Sequence, residues 1–276
     1  MDPSHIGAGA PEEIQVLLQL RGSTDGTNGG TELEGKASEV DKGGWKNSAG
    51  WPAPGVTAAT SLVNWYGLDE GMVVGMGEPS HVCSIRLAGN NLCGPFPEGL
   101  DALRHLTTID LACNDLTGGL PECLFHMPRL IDLDLRNNPR LGLGGLPAVV
   151  LPIDADSEAA TCILHNVCLA NCGFDGTIPS SLLSLLSFTC AHLDLSGNKL
   201  EGEIPDAVGE MTNLQTLCLG DNMLTGSCPL SLLKLMDVAN PESQLTSAVL
   251  EGNKDLVASS FPNGTVNWTG ERKDDY

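Results

Sequence analysis

Basic residues are scarce in this chain of 276 residues: 14 Lys and Arg face 35 Asp and Glu, a formal net charge of −21 with histidine neutral. A surface that negative repels a phosphate backbone, so no nucleic-acid partner is expected, and an anionic membrane surface is disfavoured on the same ground. Aromatic residues make up only 4%, which suits a thin, repetitive core better than one large globular centre. Long apolar runs are missing as well: no stretch approaches the roughly 18 residues of a membrane span. The opening MDPSHIGAGAPEEIQVLLQL has no basic segment, and Gln15 and Gln19 interrupt its apolar run from Ile14 to Leu20. It does not read as a secretory leader. The expectation is a cytoplasmic protein, with a secreted or cell-surface protein as the alternative if the N-terminus is incomplete.

Motifs of catalysis are absent too. There is no Ser elbow, HExxH pair or P-loop. The 10 cysteines form neither a zinc frame of two CxxC pairs nor a clustered disulfide framework. Cys168-x-x-x-Cys172 comes nearest to a ligand pair, but the expectation is reduced thiols used as small apolar fillers, with no metal and no cofactor.

What the chain has is repetition. LDLSGNKLEGEIP, Leu193 to Pro205, returns 24 residues later as LCLGDNMLTGSCP, Leu217 to Pro229. The frame is Leu-x-Leu-x-x-Asn-x-Leu-x-Gly-x-x-Pro. Read backwards, it finds Val82, Ile85 and Leu87; Leu106, Ile109 and Leu111; Leu130, Leu133 and Leu135; then Leu164, Val167 and Leu169. Cys190 opens the unit of Leu193, Leu214 that of Leu217, and Leu245 begins a worn last unit.

Leu-x-Leu alternates with period two and reads as a short strand with one buried face. Stacked copies build a parallel sheet with strands about 4.8 Å apart. The recurrent asparagines, Asn90, Asn114, Asn138, Asn198, Asn222 and Asn253, fall where the chain leaves the strand, and form a structural ladder serving buried backbone groups. Cys172 takes that position once. Apolar pairs such as Leu124 with Met127 and Val208 with Met211 supply the return side. One unit cannot bury its face alone, so each depends on its neighbours.

This frame resembles the leucine-rich repeat, and GTIP and GEIP resemble its plant-type subfamily. The resemblance implies an α/β solenoid, a horseshoe or superhelix, with one short parallel strand per repeat on the concave face. It implies an irregular or 3-10 return side, a helical N-terminal cap, binding of a protein or peptide, and no catalysis by the repeats. The chain then divides into a cap over 1–80, about seven repeats over 81–256, and a C-terminal cap and tail over 257–276. The cap comprises a helix near 11–20, a mobile Gly-rich loop near 22–44 and a Trp-rich segment over 45–67. Two insertions, near 148–161 and 236–243, stretch the spacing to 34 between Leu130 and Leu164 and to 31 between Leu214 and Leu245.

Side chains between the core leucines face outward on the concave side. The expected partner-binding residues are Arg86, Asp110, Asp134 and Asp194, flanked by Asp132, Arg136, His165 and His192. Carboxylates on adjacent strands raise the local negative potential and favour a basic protein or peptide. The leading expectation is therefore a non-enzymatic binding scaffold. An extracellular receptor-like ectodomain or secreted enzyme inhibitor is the alternative, favoured by the sequons at Asn263 and Asn267. A metal-dependent enzyme built on His165, His192, Asp132 and Asp194 is a distant third, because an open face excludes little water.

Overall fold

The computed structural model describes residues 11–24, 67–71, 81–149, 162–237, 243–257, 260 and 267–269. Each Leu-x-Leu segment is a short strand: His81–Arg86, Thr108–Asp110, Asp132–Asp134, Asn166–Cys168, His192–Asp194, Thr216–Cys218 and Ser247–Val249. These pair in parallel in that order, within one nine-stranded sheet. Its two outer strands, Leu68–Gly71 and Asn267–Thr269, pair antiparallel with the first and last of the series. They occupy backbone groups that the ends of the parallel stack would otherwise leave open for another chain.

Register fixes the core. Ile85, Ile109, Leu133, Val167, Leu193, Leu217 and Ala248 pair in one continuous row, and none is more than 2% exposed. A second buried row, Leu87, Leu111, Leu135, Leu169, Leu195, Leu219 and Leu250, runs beside it. Its amides continue the ladder, as from Leu111 to the Asp134 carbonyl at 2.9 Å and from Leu195 to that of Cys218 at 2.8 Å.

Beyond these rows the asparagines join one coil to the next. The Asn114 carbonyl oxygen accepts the amides of Asn90 and Leu92 at 3.0 and 2.9 Å, while its Nδ2 donates to the carbonyls of Leu87 and Leu111. Asn198 does the same for Cys172 and Phe174 at 3.0 and 3.1 Å. Asn138, Asn222 and Asn253 each hold one amide of the preceding coil, those of Leu116, Leu200 and Leu224. Cys172 stands at the same position and donates its thiol to the Leu135 carbonyl at 3.0 Å.

Past the asparagines, the Gly-x-x-Pro segments form strands of their own. Asp175–Thr177, Lys199–Glu203, Met223–Gly226 and Asp255–Leu256 build a second parallel sheet, and Cys93–Pro95 pairs with Asp115–Thr117. The gap between these two groups coincides with the stretched run after Asn138, where Arg140 makes a lone bridge to Thr117 and an ion pair with Asp115. The return side is 3-10 helix at Leu100–Ala102, Glu122–His126 and Asp206–Glu210. At Ser180–Leu186 and Leu230–Met236 it is short α-helix.

The residue before each ladder position adopts the left-handed conformation: Cys113, Asn137, Asn171 and Asp221 at φ 56, 59, 55 and 53, with glycine at 89, 197 and 252. Outside the buried ladder this makes an exposed one, in which Asn171 donates to Asn137 at 3.1 Å and Asn137 to the Cys113 sulfur at 3.4 Å.

The N-terminal helix spans Pro11–Thr24, four residues beyond the span expected. Glu13, Val16, Leu17 and Leu20 lie at the i, i+3, i+4, i+7 positions of one face and are all buried. That face packs on Cys93–Pro95 and Leu100–Ala102. The helix takes in the first residues of the expected Gly-rich loop, Gly22 to Thr24; the rest of that loop, nearly all of the Trp-rich segment, most of both insertions, Asn263 and most of the tail lie outside the described residues.

Candidate functional site

Strand pairing carries the outward side chains into columns, because successive residues of a strand point to opposite faces. One column runs Arg86, Asp110, Asp134, Cys168, Asp194, Cys218, Val249. Its neighbour runs Ser84, Thr108, Asp132, Asn166, His192, Thr216, Ser247. Asp110 and Asp134 are therefore adjacent, and Asp194 lies two strands further on. Asp132 stands beside Asp134 in the second column, tied to the Asn166 amide.

Three of these acids also shape the chain. An oxygen of Asp110 accepts the Ala112 amide at 3.2 Å, and one of Asp134 accepts that of Arg136 at 3.2 Å. An Asp194 oxygen accepts the Ser196 amide at 3.0 Å and its hydroxyl at 2.6 Å. Each is an Asx-type turn closing the strand's exit. Such a turn needs only one acceptor oxygen, so it does not account for the charge.

The column's electrostatics stem from burial and like charge. Burial pushes the Asp134 carboxyl above its usual value, Asp110 adds to the rise, and the Arg136 amide and guanidinium oppose it. Arg136 pairs with Asp134 at 3.0 Å. Between the acids, the Cys168 thiol is pushed up to about 12, first by burial and then by Asp134 and Asp194. Cys218 is raised by burial and by Asp194. Both thiols register the negative field of the column.

The remaining expected residues are spread around it. Arg86 heads the column and Arg136 lies beyond it, both exposed. His165 and His192 are exposed on neighbouring coils, with ring centres 6.3 Å apart, and lie in different columns. Among the described residues no group of three or more His, Cys, Asp or Glu could hold a metal ion. Two contributors escaped sequence reading, Asn166 on Asp132 and Ser196 on Asp194. The Asp-x-Ser spacing at 194–196 was the signal available for the second; nothing marked the first.

Comparison with known proteins supplies the context. A family model described as Leucine Rich Repeat matches residues 105–127 and 190–211. Receptor-like protein 7 of Arabidopsis thaliana is 41% identical over 61 residues, 22% of this chain and 6% of that protein. The crystal structure of a Pollen Receptor Kinase 3 is 29% identical with a TM-score of 0.51, over 71% of this chain and 82% of that one. These matches support a plant-type leucine-rich-repeat protein. The ectodomain of the Arabidopsis receptor kinase HAESA, solved with a peptide hormone ligand, is 28% identical with a TM-score of 0.54. That match covers 71% of this chain but only 29% of the HAESA ectodomain.

These relatives overturn the cytoplasmic expectation. Receptor ectodomains and receptor-like proteins point to the cell surface or the secreted space. The cysteines do not speak against that placement. All 10 cysteines are free, and burial raises Cys172 and Cys228 to about 11 and Cys190 to about 12. Thiols held so far from the thiolate react slowly.

Proposed function

We propose that the chain is a non-enzymatic, cell-surface or secreted scaffold that binds a protein or peptide bearing basic residues. Its binding residues are Asp110, Asp132, Asp134 and Asp194, with Arg86, Arg136, His165 and His192 at the margins. The observation that carries this reading is the in-register acidic column. Carboxylates on adjacent strands repel one another, and Asp134 stays where burial opposes its charge. Perturbed acids of this kind concentrate at functional sites. The HAESA ectodomain, of the same fold, was solved with a peptide ligand, which favours a peptide or protein over a small molecule. A shallow face of short strands offers extended contact and little enclosure, as a macromolecular partner needs. With the charge at −21, nucleic acid is excluded from the reading.

The test uses charge-matched variants. Peptides selected on the immobilised protein from a random display library are re-measured on D110N/D134N/D194N and on a convex control, E122Q/D206N/E210Q. Asparagine keeps the acceptor oxygen of each Asx turn while removing the charge. Concave binding predicts selected peptides rich in Lys and Arg, lost on the first variant and kept on the second. Peptides kept by the concave variant and lost by the convex one would place the site elsewhere.

A further inference from the structure

The second concentration of unusual chemistry lies away from the column, where the N-terminal helix meets the first coils. Glu13 is only 2% exposed, although it occupies the apolar face of its helix. Both its oxygens are engaged: one with Nδ1 of His81 at 3.0 Å, the other accepting the Val82 amide at 3.2 Å. This is a direct polar bond from the helix to the strand that opens the parallel array. The His81 ring stacks on that of His105 from the next coil, with centroids 3.8 Å apart and planes 19° from parallel. A cleft of 440 Å³ opens over the pair, lined by Glu12, Glu13, His81, Asp101, Arg104 and His105.

We propose that this junction is a proton-operated clasp, in which protonation of His105, stacked on the His81 ring that holds Glu13, loosens the N-terminal helix from the first two coils at mildly acidic pH. Two neutral rings stack at 3.8 Å without penalty, whereas two imidazolium ions at that distance repel each other across a half-buried interface. The charges facing His105 are mixed. Glu12 and Glu13 reach it from the helix and Asp101 from the 3-10 turn, all favouring a proton. Arg104, Arg129 and a protonated His81 oppose one.

The balance falls against the proton: the His105 value lies below its usual 6.5, through burial first, then His81 and Arg129, with Glu13 pulling the other way. A histidine with a depressed folded value leaves the closed clasp intact above 6.5 and weakens it as pH falls from there through the folded value. For one proton the open population grows by up to about tenfold per pH unit inside that window. Opening would release Glu13 from the Val82 amide on the strand that carries Arg86. The clasp stands independently of where a partner binds.

Hydrogen exchange on the full chain at pH 7.5 and 5.5, corrected for intrinsic rates, tests it. The helix amides of Val16 to Leu20 are expected to open more at the lower pH, while those of Leu193 to Leu219 stay unchanged. H105Q, which cannot take the proton, should flatten the response. H81Q should raise helix exchange at both pH values, since it removes the bond to Glu13. Helix protection that ignores pH, an H105Q response equal to that of the wild type, or equal losses in the distant coils would each overturn the clasp.

Discussion

Replacing Asn198 by alanine tests what holds the coils together. Its side chain, 7% exposed, accepts the amides of Cys172 and Phe174 at 3.0 and 3.1 Å. It also donates to the carbonyls of Leu169 and Leu195 at 2.9 and 2.8 Å. Alanine restores none of these bonds, and two buried N–H groups are left without a partner. At about 1–3 kcal/mol for each orphaned group, the loss is roughly 2–6 kcal/mol, a large part of an ordinary domain's stability. Cys172→Ala at the equivalent position is the internal control. Its thiol is a weak donor, and the Ala170 carbonyl that it reaches at 3.5 Å keeps the Asn137 amide at 2.8 Å. That variant is expected to lose about 1 kcal/mol, the scale of one weak bond. Urea unfolding followed by far-UV circular dichroism measures both, provided the slope with denaturant is unchanged. An Asn198→Ala protein within about 1 kcal/mol of the wild type, or a Cys172→Ala protein equally damaged, would refute the reasoning.

Packing, backbone geometry and electrostatics give four further outcomes. Leu193→Ala, in the interior row at 1% exposure, should cost about 2–5 kcal/mol by the same unfolding assay. Gly197→Ala should lose at least about 1 kcal/mol in that assay, because φ is +67 there and the added Cβ would run into the Asn171 side chain. Asp134→Asn should melt no lower than the wild type at pH 7. The carboxyl lies above its usual 3.8 when folded, so its penalty is present above the folded value and is relieved as pH falls through it; any gain in melting temperature should shrink towards pH 4. Mass-spectrometric readout of iodoacetamide labelling at pH 8 should find exposed Cys113 modified well before Cys168, Cys172, Cys190 and Cys228, which are raised to about 11 or 12.

The interior row was legible because the frame Leu-x-Leu-x-x-Asn keeps its internal spacing even where insertions lengthen the interval between copies, so each copy buries the same positions. The second sheet was not. Asp175–Thr177, for one, is glycine-centred with no buried residue, so it forms through pairing with the next coil and leaves no local signature. The antiparallel strand Leu68–Gly71 is hidden for the same reason. Asn267 read as part of a sequon, yet its side chain accepts the amides of Leu250 and Glu251 at the end of the array. At the concave face the acidic column could be read from the repeat register alone. The turns those acids close could not, since Asp134 precedes Leu135 and Arg136 whereas Asp194 precedes Leu195 and Ser196. The contact between helix and array was invisible because Glu13 and His81 are 68 residues apart.

Carboxyl footprinting of the protein with a selected peptide bound tests concave recognition most directly. Carbodiimide labelling rates of Asp110, Asp134 and Asp194 are compared with those of Glu122, Asp206 and Glu210, with and without the peptide. Concave binding predicts that the first three slow on binding and the last three keep their rates. Unchanged rates at all three column acids, with slowing on the convex side, would contradict it.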